Sequence, residues 1–348
     1  MTDKKKILLL GGTGAIGVYV VPKLIELGYD VYVTTRKERY SGNHSLKYIT
    51  GNAKDINFLR EQLALNYDVI IDFMIYKTEE FRSRIDELLT SCKHYLFLSS
   101  YRVYGDNSPI VETSVRLLNS VKDEEYLKTD EYGLTKARQE DILTASKYKN
   151  WTILRPSITY SKERFQLGVM EANEFVNRAL KHKPIIFPKE MMSKQTTLTW
   201  AGDVATLISK LILEEKAMAQ SYTLATSEHH TWGEILEYYK DILKVKVKII
   251  SLDTFSSIFG RNYQIKYDRM FNRIIDNSKV LADTGVKQSD FMPLYDGLKI
   301  ELTNFSKNPQ YNKIDENLSA RIDELTFSPV GELKARLFRL AKTHYGSK

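Results

Sequence analysis

A tyrosine and a lysine four residues apart are the side chains of this 348-residue sequence best suited to chemistry. Tyr132 and Lys136 follow a Tyr-x-x-x-Lys pattern, and positions i and i+4 of a helix lie on the same face. A tyrosine hydroxyl has a pKa of about 10, which is too high for an effective base at neutral pH. An adjacent ammonium group favours the tyrosinate and lowers that pKa. The pair therefore predicts a general base acting on a substrate hydroxyl, although exposed helical pairs often share this spacing.

A glycine-rich turn follows the first predicted strand, Ile7–Leu10, and opens a predicted helix. Glycines allow a tight turn and a close backbone approach to a pyrophosphate, while the helix N-terminus supplies N–H groups and a favourable dipole. The strand–turn–helix context favours a dinucleotide site over an ordinary glycine-rich loop. The residues predicted to bind the dinucleotide here are Gly11, Gly12, Thr13, Gly14, Ala15, Ile16 and Gly17.

The end of the second predicted strand, Tyr29–Thr35, bears on the choice between NAD and NADP. An acidic residue there would bind a free 2′-hydroxyl, but the chain reads Thr-Thr-Arg-Lys. Arg36 predicts pairing with a 2′-phosphate and therefore NADP; an exposed basic turn, or an arginine stacked on the adenine of NAD, is the alternative. Asn52 is predicted to bind the adenine amino group, and Phe73 and Met74 to line the nucleoside or else belong to the core.

The first half of the chain alternates buried strands with helices. The predicted strands are Ile7–Leu10, Tyr29–Thr35, Asp68–Met74, Tyr95–Ser99 and Trp151–Leu154, and the predicted helices are Ile16–Leu27, Ile56–Leu65 (with Asp55 as N-cap), Glu79–Cys92 and Tyr132–Ala145. This alternation is typical of an α/β fold, here a Rossmann-type doubly wound parallel sheet.

The alternation loosens after Pro156. The predicted helices are Val169–Leu180, Val204–Glu214, Trp232–Ile242, a short one around Leu318–Leu325, and Leu333–Lys342; the predicted strands are Gln195–Thr199, Gln220–Ala225 and Val245–Ile250. We predict an NAD(P)-binding domain at residues 1–162, to which segments near 193–226 return. Residues 163–348 are predicted to be mainly a smaller mixed α/β substrate domain with a C-terminal helical extension. The polar stretch 306–317 is a surface excursion or a linker, and the role of residues 306–348 stays open.

Composition excludes several classes of protein. Apolar residues make up 43% of the chain and charged residues 27%, and no apolar run approaches the roughly 18 residues of a membrane span. The net charge of +7 is spread among interleaved acids without a nucleic-acid recognition motif, so we expect an anionic small molecule and no nucleic acid. Cys92 is the only cysteine and the six histidines are scattered, which predicts no metal site and a cytoplasmic protein.

Two further markers connect these motifs to a known family. Val103–Gly105 reads Val-Tyr-Gly after a strand end, and Arg155-Pro156 closes the next strand. A third segment, Trp200–Val204, resembles a later segment that often reads His-Val-Asp-Asp-Val. With the glycine turn and the Tyr-Lys pair, the chain resembles the extended short-chain dehydrogenase/reductase family, in its sugar-nucleotide epimerase/dehydratase group, over roughly residues 5 to 300.

The resemblance implies roles for particular residues. Ser100 takes the position of the family's catalytic strand-end hydroxyl, which would hydrogen-bond the substrate oxygen and orient it toward Tyr132. Tyr132 would take a proton as hydride leaves for the nicotinamide, with Lys136 assisting as a cation and both side chains contacting the cofactor. Relatives are usually dimers, so a homodimer is expected.

The resemblance also bears on the substrate and the reaction. Tyr101 and Arg102 stand where the family's 4,6-dehydratases carry Asp-Glu, so a dehydratase lacks its acid–base pair. We expect these two residues at the substrate. Related epimerases often carry Asn in place of Ile158 near the sugar diphosphate, so Ser157 and Thr159 beside it are further substrate candidates.

These features predict an NAD(P)-dependent sugar-nucleotide epimerase, an isomerase that works by transient oxidation, as used in polysaccharide biosynthesis. The cofactor is expected to be NADP, with NAD left open. An NADPH-dependent nucleotide-sugar ketoreductase, an oxidoreductase, is the alternative. A dinucleotide-binding regulator without activity is a third possibility, but such proteins commonly lose the Tyr-Lys pair. The sequence does not identify the sugar or its nucleotide.

Overall fold

The computed structural model describes residues 4–311 and 313–326. The strands are β1 (Lys6–Leu10), β2 (Asp30–Thr35), β3 (Leu46–Thr50), β4 (Val69–Asp72), β5 (His94–Leu98), β6 (Trp151–Pro156), β7 (Ile158–Tyr160), β8 (Gln166–Leu167), β9 (Met170–Glu171), β10 (Ile185–Pro188), β11 (Gln195–Thr196), β12 (Leu198–Trp200), β13 (Gln220–Leu224), β14 (His230–Thr231) and β15 (Val247–Ile250). The helices are α1 (Gly17–Glu26), α2 (Ile56–Leu63), α3 (Thr78–Arg82), α4 (Ile85–Thr90), α5 (Leu117–Ser120), α6 (Glu124–Leu127), α7 (Tyr132–Ala145), α8 (Ala172–Leu180), α9 (Ala201–Leu211), α10 (Trp232–Leu243), α11 (Leu252–Phe259), α12 (Asn262–Gln264), α13 (Ser278–Thr284), α14 (Leu294–Lys307) and α15 (Glu316–Thr326). Short 3₁₀ turns lie at Tyr101–Val103, Lys189–Met191, Glu215–Ala217 and Gln288–Asp290, and a π-helical turn at Ile265–Arg269.

Seven parallel strands form the central sheet in the order β3-β2-β1-β4-β5-β6-β13. The chain moves outward from β1 to β3 and then restarts at β4 on the other side of β1. In such sheets the strand order reverses where ligands bind, at the carboxyl ends of the two diverging strands. The predicted fold class, a Rossmann-type doubly wound α/β sheet, is confirmed.

The four apolar residues of β1 explain why the sheet is covered on both faces. Ile7 and Leu9 pack into one cluster with apolar residues of α1 and α9, whereas Leu8 and Leu10 pack into another with residues of α2 and α4. Alternate residues of a strand point to opposite faces, so a continuous apolar run requires helices on both sides. All four side chains are fully buried, and burial of each stabilises the fold by about 1.5–3 kcal/mol.

Most predicted elements agree with the structure, and the helix predicted around Leu318–Leu325 is confirmed as α15. Strand β3 was missed because it is an edge strand with no fully buried residue. The prediction of one helix over Glu79–Cys92 is wrong: α3 ends at Arg82, and α4 begins after Ser83 and Arg84. The predicted strand Gln195–Thr199 is also wrong as a single element, because it divides into β11 and β12. The predicted helix Leu333–Lys342 lies outside the described residues.

The chain divides into two compact units. Among the described residues, the first contains the chain up to Ser161, Thr197–His229 and Arg273–Leu294, and the second contains Lys162–Thr196, His230–Asn272 and the chain from Tyr295 to Thr326. The return of 273–294 to the first unit was not predicted from the sequence. All predicted cofactor, catalytic and substrate residues lie in the first unit.

The second unit consists of helices and short strand pairs. Its pairs are β8 with β9 and β11 with β14, both antiparallel, and β10 with β15, which is parallel. Arg178 of α8 and Asp323 of α15 form a buried ion pair of 2.7 Å inside it. Across residues 4–311 and 313–326, no helix is both long and apolar enough to cross a membrane.

Candidate active site

The glycines of the turn between β1 and α1 differ in what their missing side chain allows. Gly11 has φ +71°, the left-handed region that favours glycine. A Cβ on Gly17 would lie 2.1 Å from the carbonyl oxygen of Gly12, so the first turn of α1 packs against the loop. A Cβ on Gly14 would meet no heavy atom within 4 Å, although Gly14 lines a cleft. Protein packing therefore does not require glycine at position 14, whereas the close approach of a ligand would.

The cleft beside this turn has a volume of about 400 Å³ and lies at the carboxyl ends of the strands next to β1. Seven predicted cofactor residues line it: Gly11, Thr13, Gly14, Arg36, Asn52, Phe73 and Met74. The lining also includes six residues that sequence reasoning missed, namely Thr34, Thr35, Gly51, Ala53, Lys54 and Ile75. The other six predicted cofactor residues are not among the lining residues: Gly12, Ala15, Ile16 and Gly17 belong to the turn and the start of α1, and Tyr132 and Lys136 belong to α7.

The start of α1 fits an anionic group. Ile16 occupies the N-cap position and contributes no side-chain hydrogen bond. The backbone N–H groups of Val18 and Tyr19 donate to the carbonyl oxygens of Gly14 and Ile16, which leaves the N–H groups of residues 15 to 17 without an acceptor among the described residues. Unpaired N–H groups at a helix N-terminus, next to glycines that admit a close approach, are the usual setting for a pyrophosphate. The residues present therefore fit a dinucleotide.

Two cationic side chains line the cleft near the strand ends. Arg36 is exposed directly after β2 and forms no ion pair among the described residues. Lys54 follows β3, with its Nζ 3.7 Å from Oε2 of Glu80, and its backbone N–H donates to Oδ1 of Asn52 at 3.1 Å. The signal that would have identified Lys54 was the end of β3, which the sequence analysis did not recognise as a strand.

Helix α7 begins at Tyr132, and its first turn packs against the segment that follows Ser100. A Cβ on Gly133 would lie 2.7 Å from the carbonyl oxygen of Arg102, so only glycine permits this approach. Ser100 caps the 3₁₀ turn at Tyr101–Val103, its Oγ accepting from the backbone N–H of Arg102 at 3.2 Å. The elements that carry Ser100 and Tyr132 therefore lie against each other.

Lys136 is almost completely buried, one turn along α7 from Tyr132. Its Nζ donates to the carbonyl oxygen of Met74 at 3.4 Å and lies 4.5 Å from the centroid of the Phe97 ring. Burial lowers the pKa of Lys136 to about 8, while the charges of Asp72 and Glu140 oppose that shift. The side chain is therefore mostly a cation at neutral pH, beside a residue that lines the cleft.

Asp72, which the sequence analysis did not identify, is a fully buried acid at the end of β4. Its Oδ1 accepts from the backbone N–H of Met74 at 2.9 Å and its Oδ2 accepts from the Tyr95 hydroxyl at 2.8 Å. Burial raises the pKa of Asp72, and the cation of Lys136 is among the groups that oppose the rise. An acid within an otherwise apolar strand was the sequence signal for it.

The four predicted substrate residues have protein contacts of their own. Tyr101 is buried, with its ring centroid 5.5 Å from the guanidinium carbon of Arg273. Arg102 forms an ion pair with Glu131, and its guanidinium carbon lies 5.4 Å from the centroid of the Tyr132 ring. Arg102 therefore borders the predicted base.

Ser157 and Thr159 are buried in and beside β7. The hydroxyl oxygens of Ser157 and Thr199 are 2.7 Å apart, and the Thr159 hydroxyl donates to the carbonyl oxygen of Ser157 at 3.1 Å. Neither residue is among those lining the cleft. A substrate contact by either side chain stays a prediction.

A family model supplies the deciding comparison. The model of the NAD dependent epimerase/dehydratase family matches residues 7–225. The chain belongs to this family. The match includes β1 to β6, β13 and all the predicted catalytic residues.

Individual relatives of this family member are distant. The chain is 26% identical over 250 residues to the Arabidopsis thaliana chloroplast stem-loop binding protein of 41 kDa b, which covers 66% of this chain and 61% of that protein. It therefore matches less than two thirds of the length of this curated relative.

Solved structures share the fold. dTDP-glucose 4,6-dehydratase from Bacillus anthracis, in complex with NAD, has a TM-score of 0.69 at 15% identity, covering 90% of this chain and 99% of its own. UDP-glucose 4-epimerase from Thermotoga maritima, with UDP-glucose, has a TM-score of 0.64 at 18% identity, covering 88% of this chain and 100% of its own.

Proposed function

We propose that this protein is an NAD(P)-dependent sugar-nucleotide epimerase that works by transient oxidation of a sugar hydroxyl. The observation that supports this most directly is the position of Lys136, a buried cation one helical turn from Tyr132 that donates to the carbonyl of Met74 at the cleft. A cation held there, in a dry environment, favours deprotonation of a neighbouring phenol much more than an exposed lysine would.

The residues of the chain divide the chemistry between them. The N–H groups at the start of α1 bind the pyrophosphate, and the glycine at position 14 lets it approach. Ser100 hydrogen-bonds the reacting oxygen and orients it, while Tyr132 takes the proton from that oxygen and later returns it. Lys136 remains a cation throughout. A bound nicotinamide supplies the hydride acceptor and, after the sugar has turned, the hydride donor.

The residues after Ser100 make a dehydratase the weaker assignment. Elimination of water needs an acid and a base near the neighbouring sugar carbons. Tyr101 and Arg102 carry no carboxylate; the Tyr101 ring lies against Arg273, and Arg102 is itself paired with the carboxylate of Glu131.

An NADPH-dependent ketoreductase is the second candidate, and the cations at the cleft favour it. Arg36 and Lys54 both line the cleft, and two cations suit a 2′-phosphate better than one. We therefore propose NADP as the preferred cofactor. NADP is typical of net reduction, whereas an epimerase recycles its cofactor and needs no external reductant.

One experiment separates these reactions. The purified protein is incubated with a panel of UDP-, dTDP- and GDP-sugars and with each cofactor, while reduced nicotinamide is followed by absorbance and product stereochemistry by NMR. Inversion at one sugar carbon without net loss of cofactor identifies an epimerase. Consumption of NADPH in equal amount to product identifies a ketoreductase, and no turnover with any sugar contradicts both.

Binding of stem-loop RNA, suggested by the name of the Arabidopsis relative, is not our preferred function. The charge of +7 is distributed among interleaved acids and bases. Titration of a labelled stem-loop RNA at 150 mM salt, with and without NADP, checks this choice. Tight binding that NADP displaces would show that the cleft also serves RNA.

A further inference from the structure

Glu140 joins three elements of the first unit through one buried carboxylate. Its Oε1 accepts from the Ser99 hydroxyl at 2.5 Å and from Nε of Arg155 at 2.8 Å. Its Oε2 accepts from Nη2 of Arg155 at 2.8 Å and from Nη1 of Arg116 at 3.4 Å. The Glu140 side chain is 1% exposed, so water does not compete for these hydrogen bonds.

The same network contains both sequence markers that otherwise lack a role. Nη1 of Arg155 donates to the Tyr104 hydroxyl at 2.9 Å, and this hydroxyl lies 2.8 Å from the Thr223 hydroxyl oxygen. Tyr104 is the tyrosine of Val-Tyr-Gly, and Arg155 is the arginine of Arg-Pro. The two markers therefore contact each other directly, and Arg155 connects them to the Glu140 carboxylate.

The position of Glu140 on α7 connects this network to the catalytic residues. Tyr132, Lys136 and Glu140 follow one another at intervals of four residues, so they lie along one face of the helix. Ser99, the partner of Glu140, immediately precedes Ser100 at the end of β5. One hydrogen bond therefore connects the helix that carries the base to the segment that carries the orienting hydroxyl.

We propose that Glu140 is a positioning residue that fixes the distance between Ser100 and Tyr132 by holding Ser99 and Arg155 against helix α7. This inference rests on the proposed function, because it concerns the two residues assigned to orientation and proton transfer. A misplacement of about 1 Å between reacting groups can cost about a hundredfold in rate. The carboxylate touches no reacting atom in this scheme and acts only through its neighbours.

A substitution at Ser99, rather than at Glu140, distinguishes a positioning role from a purely structural one. Replacing Glu140 itself would leave Arg155 buried without a counter-ion and can unfold the protein. Ser99→Ala removes one hydrogen bond and leaves the ion pair with Arg155 intact. Ser209→Ala is the matched control, since Ser209 is also a buried serine of this unit whose hydroxyl donates to a carbonyl oxygen, that of Thr206.

The test measures turnover, affinity and geometry in the wild type, Ser99→Ala and Ser209→Ala. We expect Ser99→Ala to lower kcat about tenfold or more, while KM and the cofactor Kd stay within about twofold of wild type. Ser209→Ala should keep wild-type kcat. Wild-type kcat in Ser99→Ala, or an equal loss of kcat in the two variants, would overturn the proposal.

A structural measurement tests the positioning role of Glu140 if the sugar panel gives no turnover. Crystal structures of wild type and Ser99→Ala should then differ in the distance from Ser100 Oγ to Tyr132 Oη by about 0.5 Å or more, a displacement large enough to disturb a catalytic geometry. An unchanged distance would exclude a positioning role for the Glu140–Ser99 hydrogen bond. Absence of wild-type turnover contradicts the proposed function alone, so the two failures remain distinguishable.

Discussion

Nζ of Lys136 lies 3.4 Å from the backbone carbonyl oxygen of Met74, and the Met74 residue lines the cleft beside the glycine turn. This contact places a buried cation from helix α7 next to the segment Phe73-Met74, which directly follows strand β4. Because the two residues are 62 positions apart, only the folded sheet brings the cation and the cleft together.

Removing the hydroxyl of Tyr132 tests the proposed base. Tyr132→Phe keeps the ring beside Arg102 but leaves no group to take the proton, so kcat should fall by about a hundredfold to ten-thousandfold. Affinity for the cofactor should change little. The measurement is steady-state turnover on the sugar that the panel identifies, with Tyr148→Phe as the control. Unchanged turnover in Tyr132→Phe would refute the assignment of this residue.

Asp72 should set the charge of Lys136. Its carboxylate favours the ammonium form, so Asp72→Asn should lower the pKa of Lys136 below its value of about 8. Loss of activity on the alkaline side should then begin about one pH unit lower, a shift typical of removing one neighbouring charge. The pH dependence of kcat measures this effect. Asp203→Asn, which neutralises a carboxylate that does not act on Lys136, should leave the alkaline limb in place.

Arg36 and Lys54 should select NADP. Each single change, Arg36→Ala or Lys54→Ala, removes a cation from the cleft and should weaken NADP binding about tenfold, with little effect on NAD. Isothermal titration with both dinucleotides measures the two Kd values. Lys37→Ala is the control, since Lys37 is exposed next to Arg36 but is not among the lining residues. Equal weakening of NAD and NADP would contradict the 2′-phosphate role.

Gly14 should be required by the ligand rather than by the fold. A Cβ at this position meets no protein atom, so Gly14→Ala should leave the Tm within about two degrees of wild type. The added methyl group would stand in the cleft, and dinucleotide affinity should fall about tenfold or more. Gly42→Ala is the matched control because its Cβ also meets nothing within 4 Å and it does not line the cleft. Normal dinucleotide affinity in Gly14→Ala would rule out close approach at this residue.

His94 should make the stability of the first unit depend on pH. The imidazole ring of His94 is fully buried. Its Nδ1 accepts a hydrogen bond of 2.9 Å from the backbone N–H of Leu213, and its Nε2 lies 2.7 Å from the hydroxyl oxygen of Thr152. Burial lowers the pKa of His94 from 6.5 to about 4, so the unfolded chain binds a proton that the folded ring does not. The stabilising contribution is complete above about pH 6.5 and decreases as the pH falls toward 4.

Chemical denaturation at several pH values measures this effect. Between pH 6.5 and 4 the free energy of unfolding should fall by up to about 3 kcal/mol on account of His94. His94→Gln should flatten the profile in this interval. A variant whose profile keeps the wild-type slope would show that other groups control the acid sensitivity.

Local pattern was enough to predict the elements that bear the chemistry. The apolar run Ile7–Leu10 followed by glycines predicted β1 and the glycine turn, and the helix predicted over Tyr132–Ala145 is α7 with both of its boundaries. These features depend on interactions between residues close in sequence or on the requirement of a strand to be buried on both faces. Residue type and spacing are therefore enough to predict these elements.

Long-range packing decided the rest. Strand β3 carries no continuous buried run, so the sequence did not identify Lys54, which follows it, as a cleft residue. In the folded sheet Lys54 and Arg36 line the same cleft. The sequence by itself determined which residues have the right chemistry, because residue type and local spacing encode it. Only the tertiary structure revealed the contacts of Asp72, Gly133 and Glu140 around the predicted catalytic residues, because these contacts join chain segments that are far apart in sequence.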